Sequence, residues 1–247
     1  MNWLKDKCNE NPVMRGIWLS TGSRVAAELA AASGFEWALL DMEHGVCNES
    51  DILDQLQLLT NTGTCPVVRI PSRSNDIVKK VLDYGATAVM SPMINTPEEA
   101  EEFVRVTKYP PDGTRGMTSS SRAAGYGFNF KEYYRDANRK MTVIVQIETQ
   151  QSVSNIEKIA AVQGVDILFV GHSDLSLALG CFEDFSSEKM QNAESQVLAA
   201  AGKYGKRAGM LLKASMNIED YRKKGFSFFA MGTDMGCLKS GYKKLLQ

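Results

Sequence analysis

The chain has 247 residues, 44% of them apolar and 23% charged, enough apolar sequence for a large buried core and a length common among single α/β barrels. A formal net charge of −1 supplies no global field for nucleic acid or an anionic membrane surface, so neither is expected as a partner. The longest apolar stretches are strand-sized, too short for a membrane span, and Met1–Pro12 has charges of both signs and no apolar core, unlike a secretory signal.

Short apolar runs alternate along the chain with longer amphipathic ones. Gly16–Ser20 reads as the first strand, followed by an alanine-rich helix over Arg24–Ser33 capped by Ser23. Trp37–Asp41 is the second strand, and Ser50–Asn61 a helix with Ile52, Leu53, Leu56 and Leu59 on one stripe. Pro66–Ile70 leads to a helix at Asn75–Asp83. Ala88–Ser91 leads to Thr96-Pro97-Glu98-Glu99, a helix start with a threonine cap, proline at the first position and acids in the first turn. Tyr109–Asn129, rich in glycine, proline and serine, reads as a long functional loop. Strands at Thr142–Ile147, Asp166–Gly171, Ala208–Leu212 and Phe228–Met231 then alternate with helices at Asn155–Ala161, Ser187–Tyr204, Ile218–Lys223 and Gly236–Leu246. The strand runs are continuously apolar, as parallel strands covered on both faces should be. Eight strand–helix units without a composition break predict one (β/α)8 TIM barrel over 1–247, with a doubly wound sheet as the alternative.

The five cysteines, Cys8, Cys47, Cys65, Cys181 and Cys237, are odd in number and widely spaced. They match no zinc pattern and read as free thiols of a reducing, cytoplasmic setting. The chain lacks a glycine-rich phosphate loop, so no nucleotide cofactor is expected.

In such a barrel the chemistry lies at the C-terminal strand ends. There the chain places Asp41-Met42-Glu43-His44-Gly45, Arg69, Ser91-Pro92, Gln146 with Glu148, and His172-Ser173-Asp174. Gln146 and Glu148 are two apart and share a strand face. A strand-end carboxylate is costly to bury unless paired or holding a cation. Glu148 and Asp174 therefore read as either a hard, oxygen-rich site for Mg2+ or Mn2+, or as ion pairs and helix caps, and position alone leaves both open. Co2+ is a further candidate ion. His44 is a candidate general acid or base, or a surface-loop histidine. Asp83 is a candidate carboxylate to orient it. Arg69 needs an anionic partner, either substrate or Asp41 or Glu43. Cys47 near His44 reads as a buried thiol in preference to a nucleophile. Lys213, just beyond the seventh strand, is the only strand-end lysine that could act as a Schiff-base nucleophile.

Together these motifs resemble the HpcH/HpaI family of metal-dependent, class II 2-oxo acid aldolases. The likeness runs almost end to end, through Gly34-Phe35-Glu36-Trp37, Asp41-Met42-Glu43-His44, Pro66-Val67-Val68-Arg69, Val81–Ala86, Tyr109–Gly116, Val145–Glu148 and Gly164–Ser176. The resemblance implies Glu148 and Asp174 as metal ligands, His44 as catalytic base with Asp83 paired to it, and Arg69 steadying a pyruvate enolate. It also implies Gln146, Ser173 and Leu211 around the bound oxo acid. Cleavage of a 4-hydroxy-2-oxo acid to pyruvate and an aldehyde is the implied reaction, with a homohexamer in which the last helix passes between neighbouring barrels. The chain departs from the family at His172, where proline is common, and at Cys47. By position His172 reads as structural or rim-lining; as a departure from the family, its imidazole would stand near the metal, as an added ligand or a change in pocket polarity. Aldehyde choice is expected from Thr118–Gly127, with Arg122 a candidate for an anionic tail. The alternatives are an acyl-CoA lyase on the same barrel and a non-catalytic scaffold.

Overall fold

The structure is a computed structural model that describes residues 3–247. Met1 and Asn2, at the start of the stretch read as unlike a secretory signal, lie outside the described residues. Eight parallel strands close in chain order: β1 Met14–Leu19, β2 Trp37–Asp41, β3 Cys65–Arg69, β4 Ala88–Ser91, β5 Thr142–Ile147, β6 Ile167–Val170, β7 Arg207–Leu211 and β8 Phe228–Thr233. The closing pair is β1 with β8, where Met14 stands opposite Phe228. The barrel expected from the alternation is therefore present, and the doubly wound sheet is excluded by closure. The helices are α1 Leu4–Glu10, α2 Arg24–Ala32, α3 Glu49–Thr60, α4 Asn75–Tyr84, α5 Pro97–Thr107, α6 Phe130–Lys140, α7 Gln150–Ser154, α8 Ile156–Ala161, α9 His172–Ala178, α10 Glu188–Lys203, α11 Ile218–Lys224 and α12 Asp234–Leu245. None among the described residues is long and apolar enough to cross a membrane.

Local chemistry sets the element ends. Ser23 accepts from the amide of Ala26 as the expected cap of α2. Thr96 and Glu99 form a capping box ahead of Pro97. Asn48 and Asp51 form another, so α3 begins at Glu49 rather than Ser50. Two apolar layers result. One lies between strands and helices. The other fills the barrel interior, where Trp37 stacks on Phe228 with ring centroids 4.1 Å apart. Room for that stack comes from Gly16, where a Cβ would fall 2.1 Å from the Trp37 ring.

Among the helices that escaped the sequence reading are α1 and α6. α1 contributes Leu4 and Cys8, one turn apart, to the barrel interior and forms its floor. Arg207 holds α1 there by donating to the carbonyls of Cys8, Asn11 (2.6 Å) and Pro12 (3.3 Å). Lys5–Asp166 (2.8 Å) and Lys140–Asp6 (2.9 Å) add ion pairs. α6 buries only Tyr133 and Ala137, too sparse a stripe to stand out by periodicity. Tyr133 holds the long loop before it: buried Arg115 donates to the Tyr133 hydroxyl (2.9 Å) and to Asp83 (2.8 Å), and lies over the Tyr109 ring.

The barrel seam is tied by buried Asp234, which accepts from the amides of Ser20 (3.0 Å) and Thr21 (3.1 Å) and from the Thr21 hydroxyl (2.6 Å). Beyond this anchor α12 leaves the barrel. Tyr242 is 65% and Leu245 84% exposed.

Candidate active site

The C-terminal strand ends enclose a cavity of about 300 Å³ whose lining includes Trp18, His44, Arg69, Gln146, Asp174 and Lys213. A depression of about 590 Å³ on the opposite side, around Lys5, Lys108, Asp166 and Lys206, contains none of these residues. The chemistry is therefore sought at the mouth.

Asp41, Arg69, Gln146 and Glu148 form one hydrogen-bonded row across β2, β3 and β5. Arg69 donates from Nε to Asp41 Oδ1 (2.9 Å), from one terminal nitrogen to Asp41 Oδ2 (2.7 Å), and from the other to Gln146 Oε1 (3.4 Å). The latter nitrogen also lies 2.8 Å from Glu43 Oε2. The guanidinium sits over the Trp18 indole, 4.7 Å from its centroid. Asp41 is 1% exposed and further accepts from Trp18 Nε1 and the amides of Glu43 and His44. Burial would raise its pKa, but the Arg69 hydrogen bonds and charge outweigh this and hold it below the usual carboxylate range. Both structural partners foreseen for Arg69, Asp41 and Glu43, are thus in place. Cys47 donates its thiol to the Asp41 carbonyl (2.6 Å), and burial pushes its pKa up, so the thiol secures the turn rather than acting as a nucleophile.

Gln146 donates from Nε2 to Glu148 Oε2 (2.9 Å), so the two share a strand face as their spacing required. Glu148 is 4% exposed. Its other oxygen accepts from the amide of Met93 (2.7 Å), a residue with φ +53° just after β4. That left-handed backbone costs about 1 kcal/mol or more in a non-glycine residue, and it aims an N–H at the acid. Among the described residues no cation forms an ion pair with Glu148. Burial first, then the nearby carboxylates Asp174 and Glu43, push its pKa up to about 7 against the Met93 hydrogen bond and the Arg69 charge. Asp174, in the first turn of α9, is exposed and, among the described residues, has no hydrogen bond or ion pair. Gly171 leaves the space Glu148 uses: a Cβ there would meet Glu148 Oε2 at 2.5 Å.

These features fit a hard divalent cation. A buried acid is repelled by its acidic neighbours, and a second carboxylate is free beside it. No cluster of three or more His, Cys, Asp or Glu among the described residues is arranged to hold an ion, so the protein would supply two carboxylates and leave the other positions to water and substrate oxygens.

Glu43 was not singled out as a site residue by the sequence reading. Burial raises its pKa, opposed by Arg69 and His44 and reinforced by Asp41 and Asp174. Its nearness to Asp174 depends on barrel closure, which its place in Asp41-Met42-Glu43-His44 does not reveal. His44 is 71% exposed at its side chain, with Nε2 3.7 Å from Glu43 Oε1. Asp83 is bound to Arg115 at the end of α4, and no hydrogen bond or ion pair joins it to His44 within the chain. Ser173 and Leu211 line the mouth.

Two expectations need correction. His172 does not reach toward a cation: its ring is buried, with Nε2 2.9 Å from Glu194 Oε1 and Nδ1 3.2 Å from the Val170 carbonyl. Glu194 is itself paired with Lys224 at 2.8 Å. The first helical residue of α9 points back into the protein, whereas Asp174, two residues on, points out. Arg122 is not free for an anionic tail. It donates to the carbonyls of Tyr84 (2.6 Å) and Leu56 (3.4 Å) and to the Thr60 hydroxyl (3.0 Å), closing the ends of α3 and α4.

Comparison with known proteins places this geometry. Residues 15–240 match the HpcH/HpaI aldolase/citrate lyase family. The chain is 39% identical to a hydroxypyruvate/pyruvate aldolase of Paraburkholderia phytofirmans, covering 100% of this chain and 96% of that protein. It is 37% identical to a 5-keto-4-deoxy-D-glucarate aldolase of Shigella boydii, covering 99% and 95%. The crystal structure of an HpcH/HpaI aldolase/citrate lyase family protein from Burkholderia cenocepacia superposes with a TM-score of 0.94 at 36% identity, covering 100% and 98%. Class II aldolases of this family are metal-dependent in general. The chain belongs to the HpcH/HpaI aldolase/citrate lyase family and is a carbon–carbon lyase of the retro-aldol type.

Proposed function

We propose that this enzyme reversibly cleaves a 4-hydroxy-2-oxo acid to pyruvate and an aldehyde, with Glu148 and Asp174 holding Mg2+ or Mn2+. The observation that carries the reading is the pair itself: a buried carboxylate with a pKa raised to about 7 beside an unpartnered one at the barrel mouth. The bound cation supplies Lewis-acid polarisation of the 2-oxo group. Gln146, held between Arg69 and Glu148, presents its amide beside the oxo acid with no freedom to turn. His44, exposed at the rim, takes the proton of the 4-hydroxyl, and the C3–C4 electron pair moves toward the 2-oxo carbon as the bond breaks. Arg69 cannot lose its charge, and its orientation is fixed by Asp41, Glu43 and Trp18, so it faces the enolate of pyruvate without reorganisation. Protonation at C3 completes pyruvate.

The relatives named for hydroxypyruvate/pyruvate and 5-keto-4-deoxy-D-glucarate support this substrate class. The five free cysteines support a cytoplasmic setting. We further infer a homo-oligomer, a hexamer by resemblance, in which neighbouring copies exchange α12. The exposed apolar side chains Leu238, Tyr242 and Leu245 support this arrangement. In it, Asp83 of one copy pairs with His44 of another.

The test is pyruvate release from a panel of 4-hydroxy-2-oxo acids, followed with lactate dehydrogenase. Release that stops in EDTA and returns with Mg2+ or Mn2+ is expected. Full activity in chelator would remove the metal role. Cleavage of malyl-CoA with no pyruvate from any hydroxy-oxo acid would replace the aldolase reading with an acyl-CoA lyase.

A further inference from the structure

The mouth is strongly acidic for a site that receives an anion. Asp41, Glu43, Glu148 and Asp174 gather there. Among the described residues Arg69 is the only arginine lining the cavity, and its charge is already shared between Asp41 and Glu43. Even with a divalent cation on Glu148 and Asp174, four ionised acids leave the wall one charge negative. A 2-oxo acid entering needs a further cation to offset this.

Lys213 is that cation. It follows β7, is half-buried, and lines the same cavity as Asp174 and Arg69. Its Nζ donates to Ser173 Oγ at 2.7 Å. Among the described residues it has no other side-chain hydrogen bond and no acidic partner. Every other charged side chain in the lining except Asp174 has a partner within the protein. Two of the ammonium's three N–H groups therefore remain to be satisfied, in a cavity lining that Lys213 shares with Ser173, Leu211 and Asp174.

The geometry points to Lys213 as the residue that, with Ser173, receives the carboxylate of the 2-oxo acid. This assignment rests on the reading that the oxo acid is bound beside Asp174. Carboxylate and oxo oxygen of such an acid sit on adjacent carbons, so a group that places the oxo oxygen by Asp174 places the carboxylate within one residue's reach of it. A charged N–H···carboxylate bond is shorter and stronger than the neutral contact to Ser173, so the hydroxyl gives way to the ligand or shares it. Lys213 is then a binding residue and forms no covalent bond. The chain selects 2-oxo acids over neutral ketones through this charge.

The test uses the Mg2+-loaded, full-length enzyme with Lys213→Met and Lys213→Arg. Aldol addition is followed with pyruvate and a neutral aldehyde, and pyruvate binding is titrated separately by calorimetry. Lys213→Met should raise the KM and Kd for pyruvate at least ~10-fold, with kcat within about threefold and aldehyde KM unmoved. Lys213→Arg should restore most of the pyruvate affinity. Equal shifts in pyruvate KM, aldehyde KM and Mg2+ affinity would make Lys213 a structural tie of the β6–α9 turn and overturn the assignment. A shift in aldehyde KM alone would overturn it too, as would a borohydride-trapped pyruvate adduct on Lys213. If the wild type binds pyruvate but releases it from no hydroxy-oxo acid, the aldolase reading fails, and the calorimetric comparison still decides Lys213. If the wild type releases pyruvate and Lys213→Met leaves its KM and Kd unchanged, the Lys213 assignment fails alone.

Discussion

Gly171 and Glu148 occupy one space: the glycine's missing side chain is where the glutamate's carboxylate lies, 2.5 Å from a virtual Cβ. The acid comes from β5 and the glycine from the end of β6, so the neighbouring strand decides whether the carboxylate can reach the mouth.

Gly171→Ala should therefore act as a remote mutation of Glu148. Backbone conformation does not forbid alanine there, since Gly171 has φ −83°, but the added methyl would meet both the Glu148 carboxylate (2.5 Å) and the Glu148 Cβ (2.8 Å), so the ends of β5 and β6 must part slightly as the carboxylate turns away. The expected result is a large loss of Mg2+ affinity and turnover with a loss of stability of about 1–3 kcal/mol. Calorimetric Mg2+ titration beside a melting curve checks it, and unchanged metal affinity would contradict the packing argument.

Glu148 gives the site a pH dependence of known sign. Its folded pKa, about 7, lies above the ordinary 4.5, so the folded metal-free protein holds this proton more tightly than the unfolded chain. Its contribution to stability is full below about pH 4.5 and is lost as pH rises through 7, by roughly 3 kcal/mol. A cation must displace the proton, so Mg2+ binding should weaken as pH falls below 7 and should release a proton there. Titrations at pH 6 in buffers of different ionisation enthalpy measure that proton, and its absence would show Glu148 already ionised.

His44 and Asp83 are apart in one chain, His44 beside Glu43 and Asp83 beside Arg115. His44→Ala and Asp83→Ala should each lower turnover by 100-fold or more on the scale of lost general-base catalysis (~10²–10⁴), leaving metal content unchanged. If the pair forms between copies, mixing the two inactive variants under conditions that reshuffle subunits restores part of the activity. No recovery in verified mixed oligomers would remove the inter-copy pairing.

Glu194 joins His172 and Lys224, with His172 and Glu194 each 1% exposed at the side chain. Burial would raise the Glu194 pKa, but hydrogen bonds from His172 and Lys224 and their charges lower it. A depressed carboxylate contributes stability above its unfolded pKa and loses it as pH falls through the folded value, so this triad should be an acid-labile element. Glu194→Ala should cost roughly 3–5 kcal/mol by stranding buried His172. Denaturant midpoints at pH 7 and pH 4 test both parts, and a loss below 1 kcal/mol at pH 7 would show that His172 finds another partner.

Strand positions were legible because the runs at Trp37–Asp41 and Ala88–Ser91 are apolar up to a polar last residue, and Thr142–Ile147 is apolar but for Thr142 and Gln146 and is followed by Glu148; the structure keeps those bounds. The polar residues gathered at the mouth could be read for the same reason, once barrel topology put all strand ends on one face. What escaped depends on direction and on distant partners. His172 and Asp174 are two residues apart on a helix that did not disclose which of them faced the protein. Arg122 looked available in a polar loop, but carbonyls at the ends of α3 and α4 had already claimed it. Met93 aims its amide at Glu148 through a backbone twist that no residue type signalled. α1 was hidden because only two of its residues, Leu4 and Cys8, are buried, and they pack against strands far along the chain.

That floor also governs traffic. With Leu4 and Cys8 sealing one end of the barrel and Trp37 and Phe228 filling its middle, the mouth is, among the described residues, the doorway for whatever binds there. Both fragments of a cleaved substrate must depart through the opening by which it came. The fragment held deeper leaves second, and added back to the enzyme it should compete directly with fresh substrate, while the outer fragment should not.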